Sequence, residues 1–586
     1  MTTYTLGAAR MNDPRSFIAS LAASDYFALL LASVLTVWVA FVLWRTRRWA
    51  REALLAAAFV PVVVVALFSK QFNVVGWHAF MHASPIYQIM ARGGVPEDPL
   101  YAGGALRYPW AEFWLTAGVA RITGANPIQL TLLAQTLAYL VFLGAAAWLA
   151  AAVSEDRGTI GLATLLSAFG ISIFHSGLFA EALGRAFPPL WLETRVVPLD
   201  KFLSVTAMPI GYAAMLLAAA AGVRLAAGPG DTRRLLACTA ACTAVAVFIH
   251  PLSWLGILVV QSVVGLLLLA GPSPRPWRRV GALALAVALP SALAIPYLRA
   301  IGKSQSSDGW LGLTDSASLL GAKIADLGFF LAVLLLLCYL LRAELLERLR
   351  ARERATLVLL VAICCLAAAY LLVRAPGRNE YKFLLQLAPL AAPLMALSLR
   401  RLLEHQRALA LGLIFLLLLP GSRMLGVRPW FSVTDPARLD GQYQRVLEPS
   451  ADELYQWVSA QTPESAVFIA ADLRMPPLGR RSLYVAVDAP WQGRDGWGLP
   501  RESLLQWHVR RPDPEMHRRQ SLATIVLSAD WSAPYPQVMA AIQAAVPGRP
   551  IFVHAPWPAV SAKLDATHGF VRRFSNAAGS IHEWLR

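Results

Sequence analysis

Residues 76–110 read GWHAFMHASPIYQIMARGGVPEDPLYAGGALRYPW. The stretch follows an apolar run, yet prolines, glycines and ionisable groups interrupt it too often for it to span a membrane. His78, His82, Glu97, Asp98, Arg107 and Tyr108 are concentrated in it. Ionisable side chains cost about 3 kcal/mol or more in hydrocarbon, so they belong at an interface or in a wet cavity. The stretch therefore reads as the centre of a large loop, residues 70–126, that lies on one face of a membrane and carries part of a reactive site.

The remainder of the chain has the composition of a membrane protein. Of its 586 residues, 57% are hydrophobic and only 15% charged, and mean hydropathy is +0.53. Soluble domains carry about 25% charged residues, so an integral membrane protein is indicated. The net charge of +17 comes from 52 basic and 35 acidic residues. Much of the excess sits in short loops between apolar runs, which is a topology signal and not a nucleic-acid-binding patch. Cys238, Cys242, Cys338, Cys364 and Cys365 all fall in apolar runs, with no metal-type spacing and no disulfide framework. The apolar segment after Ser24 has no small-residue cleavage site before the next charges, so a retained span is expected and not a signal peptide.

Spans are expected at 24–44, 53–69, 127–153, 159–176, 204–228, 236–250, 252–270, 281–300, 326–342, 356–374, 383–399 and 408–420. Arg45, Arg47, Arg48, then Arg233 and Arg234, Arg275 with Arg278 and Arg279, Arg342 through Arg354, and Arg400 with Arg401 fall on alternate loops. The positive-inside rule assigns those loops to the cytoplasm. Loops 70–126, 177–203 and 301–325, and everything after 421, then lie outside, and both termini are non-cytoplasmic. Residues 111–124 are amphipathic and too short to span; they read as a juxtamembrane helix anchored by Trp110 and Trp114. After Pro420 the composition changes. A helix is expected over 450–461, strands over Ala466–Ala470, Leu483–Val487, Thr524–Leu527 and Ile551–Val553, and helices near 501–510 and 535–546. Two last strands, Phe570–Phe574 and Ile581–Leu585, flank a turn at Asn576–Ser580. The expected fold is thus mainly α: a polytopic bundle of about twelve transmembrane helices over 1–420, followed by a soluble C-terminal α/β domain over 421–586.

Several residue groups suit chemistry at the outer face. His78 and His82 are four apart and share a face if helical; they suit substrate binding or proton transfer. A divalent metal would also accept such a pair, but no HExxH pattern or third ligand accompanies them. Glu97-Asp98 precedes Pro99; a carboxylate there could take a proton from an acceptor hydroxyl, or simply start a turn. Residues 185–202 carry Arg185, Glu193, Arg195, Asp200 and Lys201 among aromatics and prolines, a surface for an anionic headgroup or a sugar. His250-Pro251 joins two spans and reads as a helix end. Arg374 to Phe383 places three cations, Arg374, Arg378 and Lys382, with Asn379, Glu380 and Tyr381 in one short outer loop. The positive-inside rule disfavours cations there, and a bound phosphate would account for them.

Taken together, His82, Gly93-Gly94-Val95-Pro96 and Tyr108-Pro109 resemble the first outer loop of the polytopic GT-C superfamily of glycosyltransferases. WVSAQTPESAVFIAAD with Gly479-Arg480 is similar to the outer domains attached to many of them. One position departs: where that family usually carries an acidic base, four residues before His82, this chain has His78. The resemblance implies a glycosyltransferase of the bacterial inner membrane, with its C-terminal domain outside the cytoplasm. The donor would be a polyprenyl-phosphate-linked sugar and the acceptor a glycan, lipid or protein. It further implies Asp98, His78 and His82 as catalytic candidates. The substrate would be held by Glu97, Arg107, Tyr108, Arg195, Lys201, Arg378, Asn379, Glu380, Tyr381 and Lys382. A flippase for a lipid-linked glycan, or a scaffold of an envelope-polysaccharide assembly, is the alternative; the first should show inverted repeats, and none is visible.

Overall fold

The computed structural model describes residues 23–45, 47–69, 77–104, 106, 108–169, 207–228, 231–270, 276–302, 312–314, 353–374, 381–434, 449–472, 474–486, 514–529 and 534–585, with isolated positions between 317 and 347. Its N-terminal part is a helical bundle. The helices are α1 (Ala23–Arg45), α2 (Ala50–Ser69), α3 (Trp77–Arg92), α4 (Ala111–Thr123), α5 (Pro127–Ala150), α6 (Arg157–Phe169), α7 (Met208–Ala227), α8 (Thr232–Ile249), α9 (Pro251–Leu269), α10 (Pro276–Leu293) and α11 (Ile295–Gly302). A short ladder of β1 (Gly312–Leu313) with β2 (Val373–Arg374) brackets α12 (Arg354–Leu372), and α13 (Tyr381–His405) and α14 (Arg407–Thr434) close the bundle.

Small side chains set the centre. α7 carries Gly211, Ala213, Ala214, Ala218, Ala219, Ala220, Ala221 and Gly222, which let α5, α8 and α9 approach its backbone. α13 is buried along most of its length against α6 and α12, despite Pro389 and Pro393 inside it. The outer faces carry exposed apolar stripes at helical spacing, such as Leu30, Val34, Val37, Trp38 and Phe41 on α1 and Leu285, Leu289 and Leu293 on α10. Such stripes suit lipid contact, because hydrocarbon is the solvent they match.

Among the described residues, six helices are long and apolar enough to cross a membrane, or seven if the bent pair α10–α11, with its 47° break, is one span. That is a multi-pass arrangement, and six of the twelve expected spans meet that length and apolarity among the described residues, or seven with the bent pair. The other runs correspond to shorter apolar helices, Leu30–Arg45 and Arg407–Leu419 among them, or fall partly on residues outside those described.

One end of the bundle is rich in arginine. Arg157 Nη1 donates to Arg48 O at 2.8 Å, Arg400 pairs with Asp156 at 3.6 Å, and Arg354 Nη1 donates to Ala226 O at 3.3 Å. The end of α1, the starts of α6 and α12 and the ends of α7 and α13 therefore share that face. The opposite face gathers the starts of α7, α9 and α13 and the ends of α8 and α12. The short helices α3 and α4 pack together there, with α4 also against α8.

The C-terminal segment forms a five-stranded mixed sheet in the order β4-β3-β5-β7-β6. Its elements are α15 (Pro449–Gln461), β3 (Val467–Ile469), α16 (Met475–Leu478), β4 (Ser482–Leu483), α17 (Pro514–Leu527), α18 (Tyr535–Ala545), β5 (Ile551–Ala555), α19 (Pro558–Ala566), β6 (Phe570–Asn576) and β7 (Gly579–Trp584). β3 pairs in parallel with β4 and β5, and β7 runs antiparallel to β5 and β6. One expected strand is a helix instead: Thr524–Leu527 is the last turn of α17. A four-residue apolar run fits either state. Here Met516, Arg519, Ala523 and Val526 line up on the buried helical face, and tertiary burial overrides the β-branched propensity. The helix expected near 501–510 lies outside the described residues.

The first loop is part of this sheet unit. Leu483 N donates to Pro99 O at 2.8 Å, Ala486 N to Leu100 O at 2.9 Å, and Ala102 N to Leu483 O at 2.8 Å. Residues 99–102 thus cover the exposed edge at β4, an edge that would otherwise invite pairing with another chain. Leu100 and Ala102 are buried in the apolar clusters of the sheet unit.

Candidate active site

The group with the clearest chemical potential lies where α3 meets α4. Glu112 sits in the first turn of α4, where the helix dipole favours a carboxylate. Its neighbours on the buried face are Phe113, Thr116, Ala117 and Ala120, so the acid points into an apolar layer. The residue is 3% exposed. Among the described residues its Oε2 has no hydrogen-bond partner. Burial pushes its pKa up to about 7. His82 of α3 faces it, with Nδ1 4.0 Å from Glu112 Oε2. Tyr108 and Phe113 stack at 5.9 Å, and the imidazole packs against both, with its ring 5.6 Å from Tyr108 and 4.9 Å from Phe113. The Tyr108 hydroxyl is held neutral far above its ordinary range, first by burial, then by the Glu112 carboxyl and by the neighbouring Tyr381 hydroxyl.

That last influence links the first loop to the start of α13, where Tyr381 and Lys382 occupy the first turn. Lys382 acts in turn on His250, the residue between α8 and α9. Tyr297 of α11 ties these elements together. Its hydroxyl donates to Phe248 O at 2.8 Å and accepts from Ala111 N at 3.4 Å, next to Glu112. His82, Tyr108, Glu112, Tyr212, His250, Tyr297, Tyr381 and Lys382 thus belong to one polar zone at the end of the bundle away from the arginines.

The sequence-derived candidates distribute unevenly over this arrangement. His82, Tyr108, Tyr381 and Lys382 fall within the zone. His78 lies on α3, one turn before His82, but its side chain is outside the described residues, as are Arg107, Arg195, Lys201, Arg378, Asn379 and Glu380. Glu97 joins the sheet unit: it accepts from Arg549 Nη1 and Nη2 at 2.8 and 3.0 Å, from Arg92 Nη1 at 3.0 Å, from Ser482 Oγ at 2.6 Å and from Gly103 N at 2.8 Å. Burial alone would raise its pKa, but the bonds from Arg549 and Ser482 outweigh it and bring it down to about 2. Asp98 closes the neighbouring turn, with Oδ1 accepting from Leu100 N at 2.9 Å. Both carboxylates of the Glu-Asp pair therefore have structural bonds at the junction, and the acid that faces His82 is a different one. Glu112 does not stand out in a sequence whose residues 111–124 read as an interface helix. The available signal was an acid on that helix's apolar stripe, in register with Phe113, Thr116 and Ala120. Among the described residues no group of three or more His, Cys, Asp or Glu side chains is placed to hold a metal ion.

No protein-family model matches the chain, and no curated protein matches it significantly. Solved structures do. The mycobacterial arabinofuranosyltransferase AftD superposes with a TM-score of 0.53 at 15% identity, over 92% of this chain and 40% of that one. The chain thus spans two fifths of the AftD length. This is the GT-C fold. ArnT from Cupriavidus metallidurans in the apo state matches with a TM-score of 0.49 at 15% identity, over 90% of this chain and 97% of that one. The oligosaccharyltransferase AglB from Archaeoglobus fulgidus matches with a TM-score of 0.45 at 11% identity, over 87% and 70%. Within the GT-C fold of this chain, α3 and α4 carry the His82–Glu112 pair, and the loop between them is fastened to the sheet unit.

Proposed function

We propose that the chain is a membrane glycosyltransferase that moves a sugar from a polyprenyl-phosphate-linked donor to an acceptor hydroxyl at the non-cytoplasmic face of the bacterial inner membrane. The observation that carries this reading is Glu112, a buried carboxyl with a pKa near 7 facing a histidine across 4.0 Å. A pKa near the working pH matches a group to proton abstraction. One hydroxyl oxygen can bond to Glu112 Oε2 and His82 Nδ1 at once across that gap. As the acceptor oxygen attacks the sugar's anomeric carbon, its proton passes to Glu112 and the bond from that carbon to the phosphate oxygen breaks. The products are the glycosylated acceptor and the free polyprenyl phosphate.

The departing phosphate gains charge. Lys382 is suited to stabilise it from the first turn of α13, where the helix dipole also favours an anion. Arg378, four residues earlier, is the proposed second cation. Asp98 and His78 remain the alternative bases, and Glu97 is reassigned from substrate binding to the junction. The side of the membrane follows from charge: the polar zone lies opposite the face where Arg48, Arg157, Arg354 and Arg400 gather. The sheet unit, joined to the first loop, goes with the polar zone to the outside. The AftD likeness supports sugar transfer as a use of this fold. The acceptor is a glycan, lipid or protein hydroxyl.

The test uses purified protein in nanodiscs with decaprenyl phosphates carrying radiolabelled sugars. Wild-type turnover should rise with pH and level off above about 7, as Glu112 ionises. Glu112→Gln should lower turnover about 10²- to 10⁴-fold and leave donor binding intact. Normal turnover in that variant would remove Glu112 as the base.

A further inference from the structure

Behind Lys382, two deeply buried polar atoms lack a hydrogen-bond partner among the described residues: Tyr212 Oη on α7 and His250 Nε2 between α8 and α9. Tyr212 is 2% exposed and His250 7%. The rings meet edge to face with centroids 5.6 Å apart. The approach is deliberate in the backbone, since a Cβ on Gly211 would collide with His250 Cβ. The imidazole is held in place by Ser253 Oγ, 2.7 Å from Nδ1. Gln386 sits one turn along α13 from Lys382 and braces the same corner, its Nε2 donating to Leu252 O at 3.0 Å. Native interiors rarely leave such atoms unmatched, and each one costs stability until something bonds to it.

We infer that Tyr212 Oη and His250 Nε2 form a subsite beside Lys382 that takes the hydroxyl groups of an uncharged sugar. The inference rests on the glycosyltransferase reading above and names the part of the donor that this corner recognises. A hydroxyl is the fitting partner because it both donates and accepts. Tyr212 Oη does likewise. His250 offers Nε2 as a donor or as an acceptor, according to whether Nδ1 accepts from Ser253 or donates to it, and a sugar hydroxyl satisfies either form. Burial, with Lys382 nearby, keeps the His250 ring neutral, well below the ordinary histidine range. The pair therefore brings no charge of its own. An amino sugar would set a second cation beside Lys382, and a sugar acid would compete with the phosphate for it. A uncharged ring presents neither conflict.

The test compares three lipid probes in nanodiscs: bare decaprenyl phosphate, decaprenyl phosphates carrying glucose, mannose or arabinose, and one carrying an amino sugar. Wild-type protein should bind at least one neutral glycolipid more tightly than both the bare phosphate and the amino-sugar lipid. Tyr212→Phe removes only the hydroxyl and keeps the ring packing. It should weaken the preferred neutral glycolipid about tenfold, the loss of about one hydrogen bond, and leave bare phosphate binding unchanged. His250→Gln should act in the same direction. Equal loss of bare and glycosylated lipid in the variants overturns the subsite, as does a wild-type protein that does not distinguish them. Failure of wild-type protein to bind any polyprenyl phosphate would instead strike the glycosyltransferase reading itself.

Discussion

Replacing Glu97 by glutamine should loosen the junction between the first loop and the sheet unit without unfolding either. The carboxylate is 15% exposed in its side chain and takes a two-pronged bond from Arg549, whose side chain is 16% exposed. Its ordinary pKa of 4.5 falls to about 2 in the folded protein. At 1.36 kcal/mol for each pH unit, the ionised form favours the docked state by about 3 kcal/mol. An independent route gives the same size: removing one partner of a buried ion pair typically costs about 3–5 kcal/mol, because the other charge is left desolvated. The glutamine amide would also turn a donor toward Arg549. Hydrogen exchange reads this directly. The amides of Ala102, Leu483 and Ala486 bridge the loop and the β4 edge. A loss of about 3 kcal/mol in local opening should speed their exchange by about two decades. The folded pKa is depressed, so the stabilisation is complete above about pH 4.5 and fades as pH falls toward 2; wild-type exchange should therefore approach that of the variant in acid. Exchange within about threefold of wild type at neutral pH, or no convergence in acid, would refute the assignment of Glu97 to the junction.

Three further outcomes follow from the same structure. Lys382→Ala and Arg378→Ala should each weaken binding of a polyprenyl phosphate by about one to two decades, since a charge-assisted bond is worth about 1.5–3 kcal/mol; Arg299→Ala is the control for general membrane charge, and an equal loss there would remove the specific site. Cysteines placed at Ser306 and Ser465 should react with a membrane-impermeant reagent applied outside, and one at Ala351 should not; labelling at Ala351 would invert the topology. The Arg519 guanidinium donates to Ala102 O at 2.8 Å and lies over the Tyr101 ring at 4.3 Å, so Arg519→Lys, which keeps the charge but loses the planar fork, should lower thermal stability by about 1–3 kcal/mol; an unchanged melting curve would show that the fork is not needed.

Much of the architecture is local in origin, and the sequence carries it without help. Hydrophobic runs such as Pro251–Leu269 and Arg354–Leu372 need only their own composition to be membrane helices. The Pro- and Gly-broken stretch 76–110 had to lie outside hydrocarbon for the same reason. His82, Tyr108, Tyr381 and Lys382, conspicuous there or in the loop before α13, fall within the polar zone, which Glu112, Tyr212 and Tyr297 join without standing out in the sequence. The strands at Ile551–Ala555 and Phe570–Asn576 were legible from their β-branched and aromatic patterning.

What the chain order could not reveal is which polar group is buried and against what. Glu97-Asp98 reads as a candidate pair because its carboxylates stand in a polar loop beside the membrane. Its fate depends on Arg549, 452 residues away. Glu112 becomes a base candidate only because α3 and Phe113 close over it and bury it. Tyr212 and His250 lie in apolar runs and gain meaning only when α7, α8 and α9 bring them edge to face. Thr524–Leu527 is helical because one face of α17 finds a core. Apolar character is a property of each residue, so membrane helices can be read along the chain. The protonation and bonding of a buried group are set by desolvation and by partners from distant segments, and those exist only once the tertiary structure has formed.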